Sequence, residues 1–147
     1  MEASRMETHA RAFTVDRGLD SDRVKEEVRG KHPSLLVQSL RPGAARNVRL
    51  LEMIAAQTVE AAASGNLIAR KLEIDFLLRV AGTTQISRAI RKVGSQEGRP
   101  FLLVMAGRRR IPAVPGSGRW KELERKELSE RELEKVEVAA LLNAIRA

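Results

Sequence analysis

Apolar residues are spaced along this chain in two ways, one typical of strands and one typical of helices. Strand-like spacing or an unbroken apolar run occurs at residues 9–15, 34–40 and 100–106. The run that begins at Pro100 is the most apolar of the chain, so it predicts a strand that is covered on both faces and lies centrally in the sheet.

Helical spacing fills most of the remaining chain. Helices are predicted after the cap residues that begin at Asp20, over residues 47–64, over 67–93 as a pair, and after the capping-box residues Ser129 and Glu132. The pair turns at Gly82, because glycine readily adopts the dihedral angles of a tight corner. Together the elements predict an α/β fold: a single domain of residues 1–147 with a small mixed or antiparallel sheet flanked by helices.

Two of these helices carry more specific predictions. In the second helix of the pair, apolar residues follow an i, i+3, i+4, i+7 pattern and are predicted to face the core: Ile86, Ala89, Ile90 and Val93. The second half of the last helix is apolar around most of its circumference. We therefore predict that Leu141, Leu142 and Ile145 contribute to a protein–protein surface, with complete burial in this domain as the alternative.

The net charge of +8 is concentrated in the middle of the chain. Residues 1–40 are neutral overall, residues 41–121 carry +10 and residues 122–147 carry −2. Such a concentrated field favours a polyanionic partner such as nucleic acid, while a solvated arginine-rich surface is the alternative. Residues 107–119 are basic and rich in turn-forming residues, which predicts a surface loop.

Residues that could support catalysis are scarce. The chain has no cysteine, and its two histidines, His9 and His32, lack further ligands at metal-binding spacing. Glu73 and Asp75 are two residues apart on a predicted helix, so they point to different sides, and both are expected to be solvated. The glycines of the basic loop do not match a nucleotide-phosphate motif. We therefore expect no catalytic residues, metal, cofactor or small-molecule substrate.

Nothing in the chain predicts a membrane or secretory segment. No apolar run approaches the roughly 20 residues of a spanning helix. The first ten residues contain acids and an arginine but no apolar stretch. The expected location is the cytoplasm, with no membrane partner.

Residues 66–94 carry a resemblance to a known family. The matching elements are an Asn and an Ala before an acidic and apolar helix, a Leu-Leu pair, a Gly ahead of Gln-Ile, and an Ala-Ile before a closing Gly. This segment resembles the signature of the kinase-binding subunit of the KEOPS tRNA-modification complex, in its archaeal form. Outside it, only the order of elements agrees. The chain differs from many relatives at Arg79, where they have an aromatic residue, and near Thr84, where they have a basic one.

The resemblance implies a non-catalytic subunit that binds and regulates a small atypical kinase working as an ATPase. The complex adds threonylcarbamoyl to an adenosine of tRNA, and archaeal members of this family are understood to hold the tRNA 3′ end. For this chain the kinase would contact Leu141, Leu142 and Ile145. The alternatives are a free-standing RNA-binding protein and an enzyme with an unrecognised site.

The predicted tRNA-binding stretch surrounds the corner at Gly82. On a helix that begins near Thr84, one face carries polar and basic side chains, and the first amides are free to meet a phosphate. The predicted tRNA-binding residues are Arg79, Gly82, Thr83, Thr84, Gln85, Arg88, Arg91 and Lys92. The alternative is that these residues are merely solvated.

Overall fold

Two hydrophobic cores lie on opposite faces of the sheet, which places it between two layers of helices. The computed structural model describes residues 7–15, 19–112 and 120–146. Its elements are β1 (His9–Val15), α1 (Ser21–Lys31), β2 (Leu36–Leu40), a 3-10 helix (Pro42–Ala44), α2 (Val48–Ala63), α3 (Leu72–Ala81), α4 (Ile86–Val93), β3 (Phe101–Gly107), β4 (Lys121–Glu122) and α5 (Glu130–Arg146).

Within the described residues the sheet has four strands in the order β2-β3-β1-β4, and every neighbouring pair is antiparallel. The predicted α/β class with a small antiparallel sheet is therefore confirmed. β3 lies between β2 and β1 and is buried along its whole length, as its unbroken apolar run predicts. The sequence pattern missed β4, because its two residues are both exposed and charged.

The two faces of the sheet are covered by different helices. Side chains alternate between the faces of a strand, so Ala12 of β1 faces one layer while its neighbour Phe13 faces the other. Ala12 belongs to the larger core, which includes residues of α2, α3, α4 and α5. Phe13 belongs to the smaller core, in which Val28 of α1 covers β3 and β2.

Glu52 joins α2 to β1 through an ion pair and a backbone hydrogen bond. Its carboxylate accepts from the Ala10 amide at 2.9 Å and from both terminal nitrogens of Arg125 at 2.7 Å. Burial acts to raise the pKa of Glu52, but the hydrogen bonds from Arg125 and Ala10, with the charges of Arg125 and Arg49, outweigh it and lower that pKa. The charged form of Glu52 therefore stabilises the fold.

The starts of α2 and α5 are fixed together by side chains that cap them. Asn47 is buried, and its Oδ1 accepts from the amides of Arg49 and Lys126, each at 3.0 Å. The predicted capping box is present: the Ser129 amide donates to Glu132 Oε1 at 3.0 Å, and the Glu132 amide donates to Ser129 Oγ at 3.2 Å. These bonds hold α5 in place over α2 and α3.

None of the helices formed by residues 7–15, 19–112 and 120–146 combines the length and the apolar composition that a bilayer crossing requires.

Candidate RNA- and partner-binding surfaces

The corner between α3 and α4 has a backbone conformation that glycine adopts readily. Gly82 has a φ of 74°, in the left-handed region, and its amide donates to the Leu78 carbonyl at 2.8 Å. The Thr83 hydroxyl accepts from the Gln85 amide at 3.2 Å, immediately before α4 begins. The corner therefore exposes the start of α4 beside the end of α3.

The packing of α4 differs from the sequence-based prediction. Ala89 and Val93 are buried as expected, but Ile86 and Ile90 are about half exposed, so the prediction that both face the core is wrong. The reason is geometric: α4 is a short helix that rests on α3 along a narrow line through Ala89 and Val93. Its apolar side therefore reaches solvent on one flank.

The remaining surface of α4 is basic. Gln85, Arg88 and Arg91 are exposed, and Lys92 is exposed while its Nζ donates to the Ala81 carbonyl at 3.0 Å. Among the described residues, Arg88, Arg91 and Lys92 form no salt bridge. Their charge is therefore not neutralised within the domain, and an anion can reach it from solvent.

Arg79 does not belong to this surface. Its side chain is 2% exposed, and its Nε donates to Asp75 Oδ1 at 2.6 Å. Its terminal nitrogens donate to the Ala139 carbonyl at 3.0 Å and to Asn143 Oδ1 at 2.8 Å. A guanidinium with these partners has no donor directed to a phosphate in solvent, so the prediction that Arg79 contacts RNA is wrong.

The partner of Arg79 is equally enclosed. The Asp75 side chain is 0% exposed, so the expectation that it is solvated is wrong. It accepts from Thr58 Oγ1 at 2.6 Å and from the Ile68 amide at 2.8 Å, in addition to Arg79. Glu73 lies on another side of α3 and is only partly exposed, within 3.9 Å of Arg29. Asp75 and Arg79 thus connect α2, α3, α5 and the segment before α3.

The last helix has an exposed apolar stripe that differs in one residue from the prediction. Leu141 is 59% exposed and Ile145 is 67% exposed, whereas Leu142 is 1% exposed and packs in the core. Leu142 is therefore not available to a partner. Val138 is also exposed and lies on the same stripe, because positions 138, 141 and 145 follow the i, i+3, i+7 spacing of one helix face.

A groove of about 520 Å³ lies between the Gly82 corner and α5. α3 packs against both α4 and α5, and the groove is lined by the end of α3, by the end of α4, by the 3-10 helix and by the first half of α5. Its cationic lining side chains outside the buried ion pair are Arg41, Lys92, Arg131 and Lys135. No pattern in the sequence predicts this grouping, because Arg41, Lys92 and the pair on α5 come from three distant parts of the chain.

The basic loop is described only in part. Gly107 closes β3, and Arg108, Arg109 and Arg110 that follow it are exposed. Ile111 is buried in the smaller core. Residues 113–119 lie outside the described residues.

No cluster of His, Cys, Asp or Glu side chains suited to a metal ion occurs in the part of the chain that the structure describes. The described residues form two candidate binding surfaces, the basic face of α4 and the apolar stripe of α5, together with the groove. Comparison with protein-family models and with curated proteins found no match to this chain.

Proposed function

We propose that the chain is a non-catalytic tRNA-recruiting and regulatory subunit of a KEOPS-type tRNA-modification complex. In this proposal it binds a small atypical kinase through one surface and the tRNA 3′ end through another. The chemistry of threonylcarbamoyl transfer then belongs to other subunits. The resemblance of residues 66–94 is the origin of the proposal.

The exposed basic face of α4 is the observation that supports RNA binding by this chain. Arg88 and Arg91 are exposed and free of salt bridges among the described residues. Arg88 lies in the first turn of α4, which follows the Gly82 corner, and Arg91 lies in its last turn. Exposed arginine side chains bind phosphates through charge-assisted hydrogen bonds, and the nearby half-exposed Ile86 and Ile90 offer apolar contact to unstacked bases. Phosphate contacts should therefore dominate and make binding sensitive to salt.

The proposed binding of a kinase rests on the apolar stripe formed by Val138, Leu141 and Ile145. These side chains are exposed on one face of α5, and a row of aliphatic side chains on a helix is typical of a protein-binding surface. We propose that the kinase covers this stripe.

Salt titration of tRNA binding tests the RNA surface. We expect Arg88→Glu/Arg91→Glu to weaken tRNA binding and to lower the dependence of log K on log salt by roughly one unit per lost phosphate contact. The matched control, Arg23→Glu/Lys31→Glu, reverses two exposed charges on α1, across the sheet, and should bind nearly as the wild type does. A tRNA lacking its 3′ end should bind weakly to every variant. Equal tRNA affinity of both variants would contradict the proposal.

Size-exclusion chromatography with a candidate kinase tests the partner surface. We expect Leu141→Glu/Ile145→Glu to abolish co-elution with the kinase while tRNA binding is retained. The control Leu19→Glu/Leu133→Glu places the same charges at exposed apolar positions off the stripe and should co-elute normally. If the wild type binds tRNA but never the kinase, the alternative of a free-standing RNA-binding protein is favoured.

A further inference from the structure

The groove beside the Gly82 corner has a charge imbalance that the α4 face does not explain. Four cationic side chains line it, Arg41, Lys92, Arg131 and Lys135, against one free carboxylate, that of Glu134. None of the four forms a salt bridge among the described residues, whereas Arg11, Arg49 and Arg125 elsewhere do.

The concave shape of the groove concentrates the electrostatic potential of these four cations. Cations that line a concave surface concentrate the potential more than the same cations on a convex surface. Arg131 and Lys135 are one helical turn apart on α5, about 6 Å between their Cβ atoms. Lys92 and Arg41 come from α4 and from the start of the 3-10 helix, so the charges come from more than one element.

Arg41 is held in position by contacts that leave part of its guanidinium unused. Its terminal nitrogen donates to the Arg91 carbonyl at 2.7 Å, and its backbone amide donates to the Val93 carbonyl at 2.8 Å. Its Nε is enclosed and has no hydrogen-bond partner among the described residues. The two bonds fix Arg41 in the groove lining, beside the end of α4.

We propose that this groove binds a ligand with two or more neighbouring phosphate groups, held by Arg41, Lys92, Arg131 and Lys135. The apolar lining from Val80, Val93 and Val138 leaves room for a nonpolar part of the same ligand. Both a polynucleotide backbone and a nucleoside polyphosphate have this chemistry. The proposal goes beyond the function proposed above, because only Lys92 is shared with the α4 face and binding of tRNA is not required.

Isothermal titration calorimetry of the full chain tests the site with three probes: inorganic tripolyphosphate, ATP and a short single-stranded RNA. The groove variant is Arg131→Glu/Lys135→Glu, with Arg131→Gln/Lys135→Gln as its neutral form. Both positions are exposed, so the fold should be retained, and thermal unfolding checks this. The control Arg23→Glu/Lys31→Glu makes the same change of charge on α1.

We expect the groove variant to bind at least one probe about tenfold more weakly than the wild type, since it loses charge-assisted hydrogen bonds, while the control changes by less than about twofold. Glu134→Gln should strengthen binding of that same probe, because it removes the carboxylate from the groove. Groove-dependent binding of tripolyphosphate and ATP identifies a small polyphosphate as the ligand, and groove-dependent binding of RNA alone identifies a polynucleotide.

Two results would overturn the inference: no binding of any probe by the wild type at low salt, or equal losses in the groove and control variants. The outcome is separable from the proposed function. If Arg88→Glu/Arg91→Glu abolishes tRNA binding while the groove variants bind every probe normally, the groove inference fails and the proposed function stands. If tripolyphosphate binds in the groove and tRNA does not bind at all, the groove inference stands and the proposed function fails.

Discussion

Replacing Arg79 by methionine tests how strongly the fold depends on both partners of the buried ion pair being present. Methionine fills a similar volume but carries no charge, so the Asp75 carboxylate loses the guanidinium while it keeps the Thr58 hydroxyl and the Ile68 amide as donors. Asp75 and Arg79 are 0% and 2% exposed, so water does not screen the loss. Removal of one partner from a buried pair costs about 3–5 kcal/mol. For a domain of this size that lowers the melting temperature by about 6–20 °C.

Guanidinium chloride unfolding with linear extrapolation measures this loss. The matched control is Arg11→Met, because Arg11 donates to both carboxylate oxygens of Glu122 at 2.8 Å but the pair is substantially exposed. An exposed pair contributes about 0–1 kcal/mol, so the two identical substitutions should differ by several kcal/mol.

A double-mutant cycle separates the pair interaction from general damage. Asp75→Asn/Arg79→Met removes both charges, so it should lose less stability than the sum of the single variants, by about 1–3 kcal/mol. Folded Arg79→Met should also bind RNA as the wild type does, since Arg79 is enclosed. An Arg79→Met cost no larger than that of Arg11→Met, with additive single effects, would refute the reasoning.

Three further predictions concern stability. Because the pKa of Glu52 is lowered in the fold, the carboxylate contributes fully to the free energy of unfolding above the ordinary pKa of 4.5, and this contribution is lost as the pH falls through the lowered pKa. The free energy of unfolding of Glu52→Gln should therefore depend less steeply on acid pH than that of the wild type. Gly82→Ala should cost about 1 kcal/mol in urea unfolding because φ is 74°, whereas Gly30→Ala, in α1 with open space around it, should be neutral or stabilising. Asn47→Ala should lower the free energy of urea unfolding by about 2 kcal/mol, since it removes the side-chain cap of α2. A decrease smaller than the one expected for an exposed cap would show that the bonds of Asn47 to the segment before α5 do not stabilise the fold.

Local rules were sufficient for many features of this fold. The unbroken apolar run at 100–106 predicted a central covered strand because such a run has no polar face to expose, and the capping box at Ser129 and Glu132 depends on residues three apart. The corner at Gly82 follows from the backbone freedom of glycine. The cap and the corner are decided by interactions within a few residues of the chain, and the apolar run leaves its strand no polar side to turn to solvent.

The packing of the helices determines which polar residues are buried and which apolar ones are exposed. Asp75 and Arg79 are one helical turn apart on α3, a spacing equally common on solvated helices, and their burial depends on α2 and α5 closing over them. Ile86 and Ile90 have core spacing, but α4 lies at the edge of the helical layer, where no element covers them among the described residues. Burial is a property of the whole packed assembly, so periodicity along one helix cannot determine it.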